Sequence, residues 1–181
     1  MKRVIIHWTA GTNHASKTDK MHYHYIVEGD GSVVSGDLPP EANESTKTAY
    51  AAHTRGLNTG SIGVSMAGMW GAKERPFNAG RWPLTNKQVK AMCKLAAQLC
   101  AKYDIPVTRE TVLTHAEVQG NLGVVQKGKW DVMWLPGMDQ AGHPNAVGDL
   151  LRDQIRDAMT PPAPSGIIAA LVKAILRMFK K

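Results

Sequence analysis

Cysteine is scarce in this chain. The two present, Cys93 and Cys100, lie seven residues apart in a segment with helical patterning. One helix would set their Cα atoms about 10 Å apart, beyond the reach of a disulfide. Both fall on the apolar stripe, so they read as buried free thiols made in a reducing compartment. Long apolar runs are missing too. No stretch would span a bilayer, and the N-terminal run Val4-Ile5-Ile6 stops at His7, too soon for the core of a signal peptide. The chain is therefore expected to start in a cytoplasm and to need another exit route for any target outside it. Acidic residues are outnumbered, 15 against 22 Lys and Arg, for a net charge of +7. That balance favours polyanionic partners: nucleic acid, anionic lipid or a bacterial envelope. A soluble basic protein with no such partner would share it. No nucleic-acid-binding motif accompanies the charge, so nucleic acid is not an expected partner.

What is there suffices for one folded domain and a short appendage: 181 residues, 43% hydrophobic and 20% charged. Val4 to Trp8 reads as a buried strand with a histidine near its end. Ser16 is placed to cap a short helical turn, with Asp19 at the capping-box position. Two β-prone runs, 24–28 and 32–35, flank Gly29-Asp30-Gly31 and predict a hairpin. Pro39 to Thr48 reads as a loop with room for a helical turn. Ser61 to Ala67 reads as an inner strand whose Gly63 signals a close approach. After a Gly- and Trp-rich loop, Thr85 and Gln88 form a capping box for a helix over 86–103, which Pro106 terminates. Thr111 to Thr114 is a short strand ending before His115, and 145–159 forms a last core helix. Interleaved strands and helices without βαβ regularity predict an α/β fold: a mixed central β-sheet flanked by helices, over residues 1–159. Pro161-Pro162-Ala163-Pro164 marks a stiff linker over 160–166.

His7 and His115 both fall at predicted strand ends. A lone histidine there is more often a satisfied structural residue. The segment Lys129-Trp130-Asp131, soon after His115, changes the weighing. Two imidazoles and one carboxylate suit zinc, with a fourth position left for water. Hydrolysis at such a centre through a tetrahedral intermediate also needs a donor or cation for the oxyanion, and Tyr23 and Lys129 are candidates. The ligands are scattered, and the metal-free alternative makes Asp131 a turn residue.

Five segments, in order, resemble the N-acetylmuramoyl-L-alanine amidases, a family that includes short phage endolysins and is related to animal peptidoglycan recognition proteins. They are Val4-Ile5-Ile6-His7-Trp8-Thr9-Ala10; Tyr23-His24-Tyr25-Ile26-Val27 with its Gly-Asp-Gly turn; Ala52-His53-Thr54-Arg55-Gly56-Leu57-Asn58 followed by Ser61-Ile62-Gly63-Val64; Thr114-His115-Ala116-Glu117-Val118; and Lys129-Trp130-Asp131. The resemblance covers roughly residues 3 to 159. It implies a zinc enzyme that cuts the amide between the lactyl group of N-acetylmuramic acid and L-alanine in peptidoglycan. By the same resemblance His7, His115 and Asp131 bind zinc, Tyr23 lies near the water, and Lys129 stabilises the oxyanion. His53 and Asn58 match positions near the substrate groove. Some members carry cysteine where Asp131 stands; aspartate is a harder ligand but compatible with zinc. The interval from His7 to Tyr23 is too short for the long helix of some relatives, which implies a reduced helix and a more open groove. His24 is expected in the core or behind a ligand. Glu117 is expected either to orient a ligand histidine or to form a surface ion pair. Trp70, Trp82, Trp130 and Trp134 are candidates for stacking on sugars or for anchoring loops.

The last segment, 167–181, is separate. Ile167, Ile168, Leu171, Val172, Ile175, Met178 and Phe179 make one apolar stripe, while Lys173, Arg177, Lys180 and Lys181 carry its charge with no acidic residue. This is the pattern of a cationic amphipathic helix lying on an anionic membrane or envelope surface; a helix packed on the domain is the alternative. The expected whole is a monomeric endolysin. Two alternatives are a non-catalytic peptidoglycan-binding module and a primarily membrane-active protein.

Overall fold

The computed structural model describes residues 1–160. The predicted linker from Pro161 onward and the predicted cationic helix, with Lys173, Arg177, Lys180 and Lys181, lie outside the described residues. Five strands, β1 (Arg3–Trp8), β2 (Tyr25–Val27), β3 (Val33–Ser35), β4 (Ser61–Met66) and β5 (Val112–Thr114), form one sheet in the order β3-β2-β4-β1-β5. All neighbours are parallel except the β2–β3 hairpin. The helices are α1 (Lys17–His22), α2 (Asn86–Tyr103), α3 (His115–Leu122) and α4 (Pro144–Met159), with a 3-10 turn over Pro40–Glu44. The expected mixed sheet flanked by helices is what forms. Among the described residues, no helix is long and apolar enough to cross a membrane.

Side-chain alternation makes the two faces of the sheet different. Val4, Ile6 and Trp8 of β1 and Ile62, Val64 and Met66 of β4 point to one side. There they meet Val89, Met92, Cys93, Ala96, Leu99 and Cys100 of α2 and Val147, Leu151 and Ile155 of α4 in the main core. Each large apolar side chain buried there contributes about 1.5–3 kcal/mol. Ile5 and Leu113 point the other way, against Val118 of α3. His7 shares that second face, so period two alone aims it away from the main core. On the same face β4 presents only Ser61, Gly63 and Ser65, which leaves room for polar side chains above them.

Gln88 does more than complete its capping box with Thr85. Its side-chain amide, fully buried, donates to the carbonyls of Val27 and Ala67, both at 2.7 Å, and so ties the first turn of α2 to the sheet. Cys93 and Cys100 are buried and unpaired, as the spacing predicts. The end of α2 is set differently from expectation. Asp104 adopts the left-handed conformation (φ 52°) and its N–H caps the Cys100 carbonyl, so the helix ends at the expected Tyr103 through a local cap, three residues before Pro106. Asparagine and aspartate tolerate that conformation better than most residues.

Candidate metal centre and its groove

His7 is the fifth residue of β1, paired beside Ser65 of β4, and is completely buried. His115 opens α3 directly after β5, a position the sequence reading placed at a strand end instead. Glu117 supplies one half of a capping box at the start of this short helix, which was not expected: its carboxylate accepts the Thr114 N–H at 2.8 Å, while Thr114 Oγ1 has no partner. Asp131 sits in the following loop. Its carbonyl accepts the Ala116 N–H at 2.7 Å, one of the free donors of the α3 first turn. That bond, with the packing of Trp130 on Trp8 and the burial of Val132, holds the loop where the Asp131 carboxylate lies between the two imidazoles. Asp131 Oδ2 is 3.1 Å from His7 Nδ1 and 3.0 Å from His115 Nδ1. One ligand atom from each residue lies within 4.8 Å of the others, and all three residues are buried.

Both rings turn their second nitrogen outward to a neutral oxygen. His7 Nε2 is 3.3 Å from Thr54 Oγ1 and His115 Nε2 is 2.8 Å from Gln126 Oε1. Burial lowers the His7 pKa to about 4 against the opposing pull of the nearby Asp131 carboxylate. Burial would raise the Asp131 pKa, but the His115 and His7 rings close beside its carboxylate outweigh it and hold it at about 2. At neutral pH the centre therefore offers an uncharged His7 and a carboxylate. An imidazole that gives its Nε2 proton outward aims an Nδ1 lone pair inward. Two such lone pairs beside a carboxylate oxygen repel one another unless a cation lies between them, and this donor set suits zinc. The residues fit the metal.

An open groove of about 700 Å³ lies over the centre, with His115 and Asp131 in its floor and Tyr23, Arg55, Lys127 and Lys129 in its walls. The Tyr23 ring centroid is 5.2 Å from that of His7. Burial first, and the Asp131 charge second, raise the phenol pKa well above its ordinary value, so Tyr23 stays protonated. Lys129 is exposed at the rim. α1 is only six residues long, which leaves this side of the groove without a long helix, as the short interval implied.

The sequence model of the N-acetylmuramoyl-L-alanine amidase family matches residues 1–137. The chain belongs to this family. The match takes in His7, Tyr23, His115, Lys129 and Asp131, and the amidase activity comes with membership. No curated protein matches the chain. Among solved structures it is similar to the N-acetylmuramoyl-L-alanine amidase LysC from Clostridium intestinale URNW, with 16% identity over 82% of this chain and 83% of that one and a TM-score of 0.48. It is also similar to the Ph2119 endolysin from the Thermus scotoductus MAT2119 bacteriophage, with 22% identity over 70% and 79% and a TM-score of 0.46.

Several residues stand where the amidase motifs suggested but do other things. His53 and Asn58 both line the groove, near which the resemblance placed them, and the Asn58 oxygen and both His53 ring nitrogens are engaged within the protein. Asn58 Oδ1 accepts the N–H groups of His53 and Thr54 at 3.0 and 2.8 Å, and the His53 ring lies between Thr54 Oγ1 (2.9 Å) and the Ser61 carbonyl (3.3 Å). His24 is buried and its Nδ1 accepts the Gly63 N–H, a core role. Glu117 neither touches His115 nor lies at the surface. It forms a fully buried ion pair with Arg152 of α4, at 2.8 Å, and Arg152 also donates to the Val112 carbonyl. The sequence reading missed Arg152 because a lone arginine in a helix normally faces solvent. Trp134 is buried, donates its indole N–H to Met138 O at 2.7 Å and stacks on Phe77. Trp130 packs edge-on against Trp8 while lining the groove. Trp70 and Trp82 remain exposed.

Proposed function

We propose that this amidase is a zinc enzyme and acts as an endolysin, opening the bond between the N-acetylmuramic acid lactyl group and L-alanine of peptidoglycan in the wall of a bacterial cell. The observation that carries the reading is the convergence of His7 Nδ1, His115 Nδ1 and Asp131 Oδ2 under an open groove. Zinc held there would supply Lewis-acid polarisation of the amide carbonyl and lower the pKa of water to about 7. The chain's own residues do the rest. His7, His115 and Asp131 hold the metal. Tyr23, kept protonated by burial, is a donor rather than a base, so it orients an oxygen above the centre. Lys129 brings positive charge to the carbonyl oxygen as it becomes an oxyanion. His53 and Asn58 shape the groove wall from within.

The cationic segment 167–181 is proposed to bind an anionic membrane or outer-envelope surface, concentrating the enzyme near its wall substrate. Synthesis in the host cytoplasm, action at the wall after release, and a monomeric state belong to the same proposal. Mass spectrometry of digested sacculi tests the chemistry: new free L-alanine amino termini, lost on chelation and restored by zinc, are expected. New reducing sugar ends would replace this reading with a glycosidase, and binding without any release would leave a receptor. A chain lacking residues 165–181 should still digest purified peptidoglycan but should lose binding to anionic vesicles; loss of digestion with binding retained would overturn this division of labour.

A further inference from the structure

We infer that Thr54, His53 and Gln126 are positioning residues that dictate which nitrogen of each metal-facing histidine carries its proton, through two hydrogen-bond relays that end on backbone carbonyls. The inference rests on the zinc reading above. The first relay starts from the Ser61 carbonyl, which can only accept. His53 Nε2, 3.3 Å away, must therefore carry a hydrogen. His53 is buried and its hydrogen-bond partners are Thr54 Oγ1 and the Ser61 carbonyl, with no carboxylate among them, so a second proton on the ring would leave an unpaired charge in the interior. Its Nδ1 is then an acceptor, and the Thr54 hydroxyl, 2.9 Å away, donates its single hydrogen there. That hydroxyl has only lone pairs left for His7, so His7 Nε2, at 3.3 Å, is the donor. His7 Nδ1 is left bare, facing Asp131.

The second relay is shorter. The Gln126 amide nitrogen donates to the carbonyls of Arg55 and Val124, at 2.9 and 3.2 Å, which fixes its orientation. Gln126 Oε1 must then face His115, and His115 Nε2, 2.8 Å away, donates to it. His115 Nδ1 is likewise left bare. The backbone of Gln126 is held in turn by Gln119 of α3 at 3.0 Å. Both relays converge on the three residues His53-Thr54-Arg55, so one short segment sets the state of two ligands that are far apart in sequence. An Asp131 carboxylate alone would favour the opposite tautomer, with hydrogen on each Nδ1. The relays oppose that choice and keep both lone pairs ready for a metal.

The test is the 15N shift of each ring nitrogen in the full-length, chelator-stripped protein at neutral pH, with zinc affinity measured in parallel. Wild type should show a pyridine-type Nδ1 and a pyrrole-type Nε2 on both His7 and His115. Thr54→Val should shift His7 toward the Nδ1–H form and leave His115 alone; Gln126→Met should do the reverse. Each should weaken zinc binding about 10–100-fold, and Thr54→Ser, which keeps the hydroxyl, should match wild type. A wild-type Nδ1–H on either histidine overturns the inference, and so do identical tautomers and zinc affinity in Thr54→Val and Thr54→Ser. Should Thr54→Val fail to fold, the wild-type and Thr54→Ser spectra still decide. Failure of wild type to bind zinc at all would instead overturn the zinc reading itself.

Discussion

Acid should destabilise the metal-free domain by an amount set largely by its buried histidines. His7 is fully buried, and burial lowers its pKa from 6.5 to about 4, with the nearby Asp131 carboxylate only partly opposing. The unfolded chain takes up that proton as pH falls below 6.5, while the folded chain resists it until about 4. Above 6.5 neither state is protonated and no penalty exists; between 6.5 and about 4 the unfolded state binds more protons, so stability falls with pH. For His7 alone the loss is about 2 kcal/mol at about pH 5 and at most about 3.4 kcal/mol below about pH 4. Burial lowers His24 and His53 as well, and both add in the same direction. Against a typical domain stability of about 5–15 kcal/mol, this is a large share. Urea denaturation of the chelator-treated protein between about pH 7 and pH 5 should show a falling midpoint with an unchanged slope. Saturating zinc should raise the midpoint throughout. A midpoint that stays constant or rises as the metal-free protein is acidified would refute the reasoning, because it would mean that these imidazoles are charged or exposed in the folded state.

Other perturbations have definite outcomes. Asp131→Asn removes the only anionic donor of the centre; zinc bound per purified chain should drop sharply while the circular dichroism spectrum is retained. Glu117→Gln removes the buried partner of Arg152 and leaves the guanidinium only the more exposed Asp149 at 2.8 Å; it should cost about 1.5–3 kcal/mol in urea denaturation, with no direct effect on His115. Gly63→Ala would put a methyl group 2.5 Å from His53 Cγ; displacement of that ring should cost about 1–3 kcal/mol and weaken zinc binding through Thr54. Lys129→Ala should lower kcat about 10²–10³-fold in muropeptide release assays, with zinc content unchanged.

The sequence displays most of the fold because its signals are local. Ser16 with Asp19, and Thr85 with Gln88, announce helix starts within four residues of chain, and both capping boxes form. The hairpin around Gly29-Asp30-Gly31 and the strands 3–8 and 61–66 follow from composition and alternation in the same way. The candidate metal centre was legible only through the order of five family-like motifs, since nothing local says that His7, His115 and Asp131 meet. What escaped the reading depends on side-chain direction across the sheet. Helix α3 is eight residues long with a weakly amphipathic pattern, so its start at His115 was masked by the strand that feeds it. Arg152 and Glu117 neutralise each other in the interior across 35 residues, a pairing that periodicity alone cannot reveal. Gly148 lies opposite them in α4, where a Cβ would collide with the Glu117 carboxylate.

Thr54 and Gln126 were missed for a related reason, although one signal pointed at them. β4 is buried at every position, yet every second residue on one face is small: Ser61, Gly63, Ser65. A central strand with apolar neighbours on both sides would normally read as a continuous hydrophobic run. Small residues at alternate positions imply that something bulky stands above that face, and the serines and backbone N–H groups there favour polar rings over aliphatic ones. In this chain the bulk is imidazole. His53 presses on Gly63, His24 accepts the Gly63 N–H, and His7 pairs beside Ser65. Each neutral ring has one donor and one acceptor, and burial calls for a partner at each; His53 finds both, whereas His24 Nε2 has none. That requirement makes a hydroxyl next to His53 and an amide beside His115 necessary partners rather than incidental loop residues, and it ties the sheet's small-residue face to the chemistry performed on it.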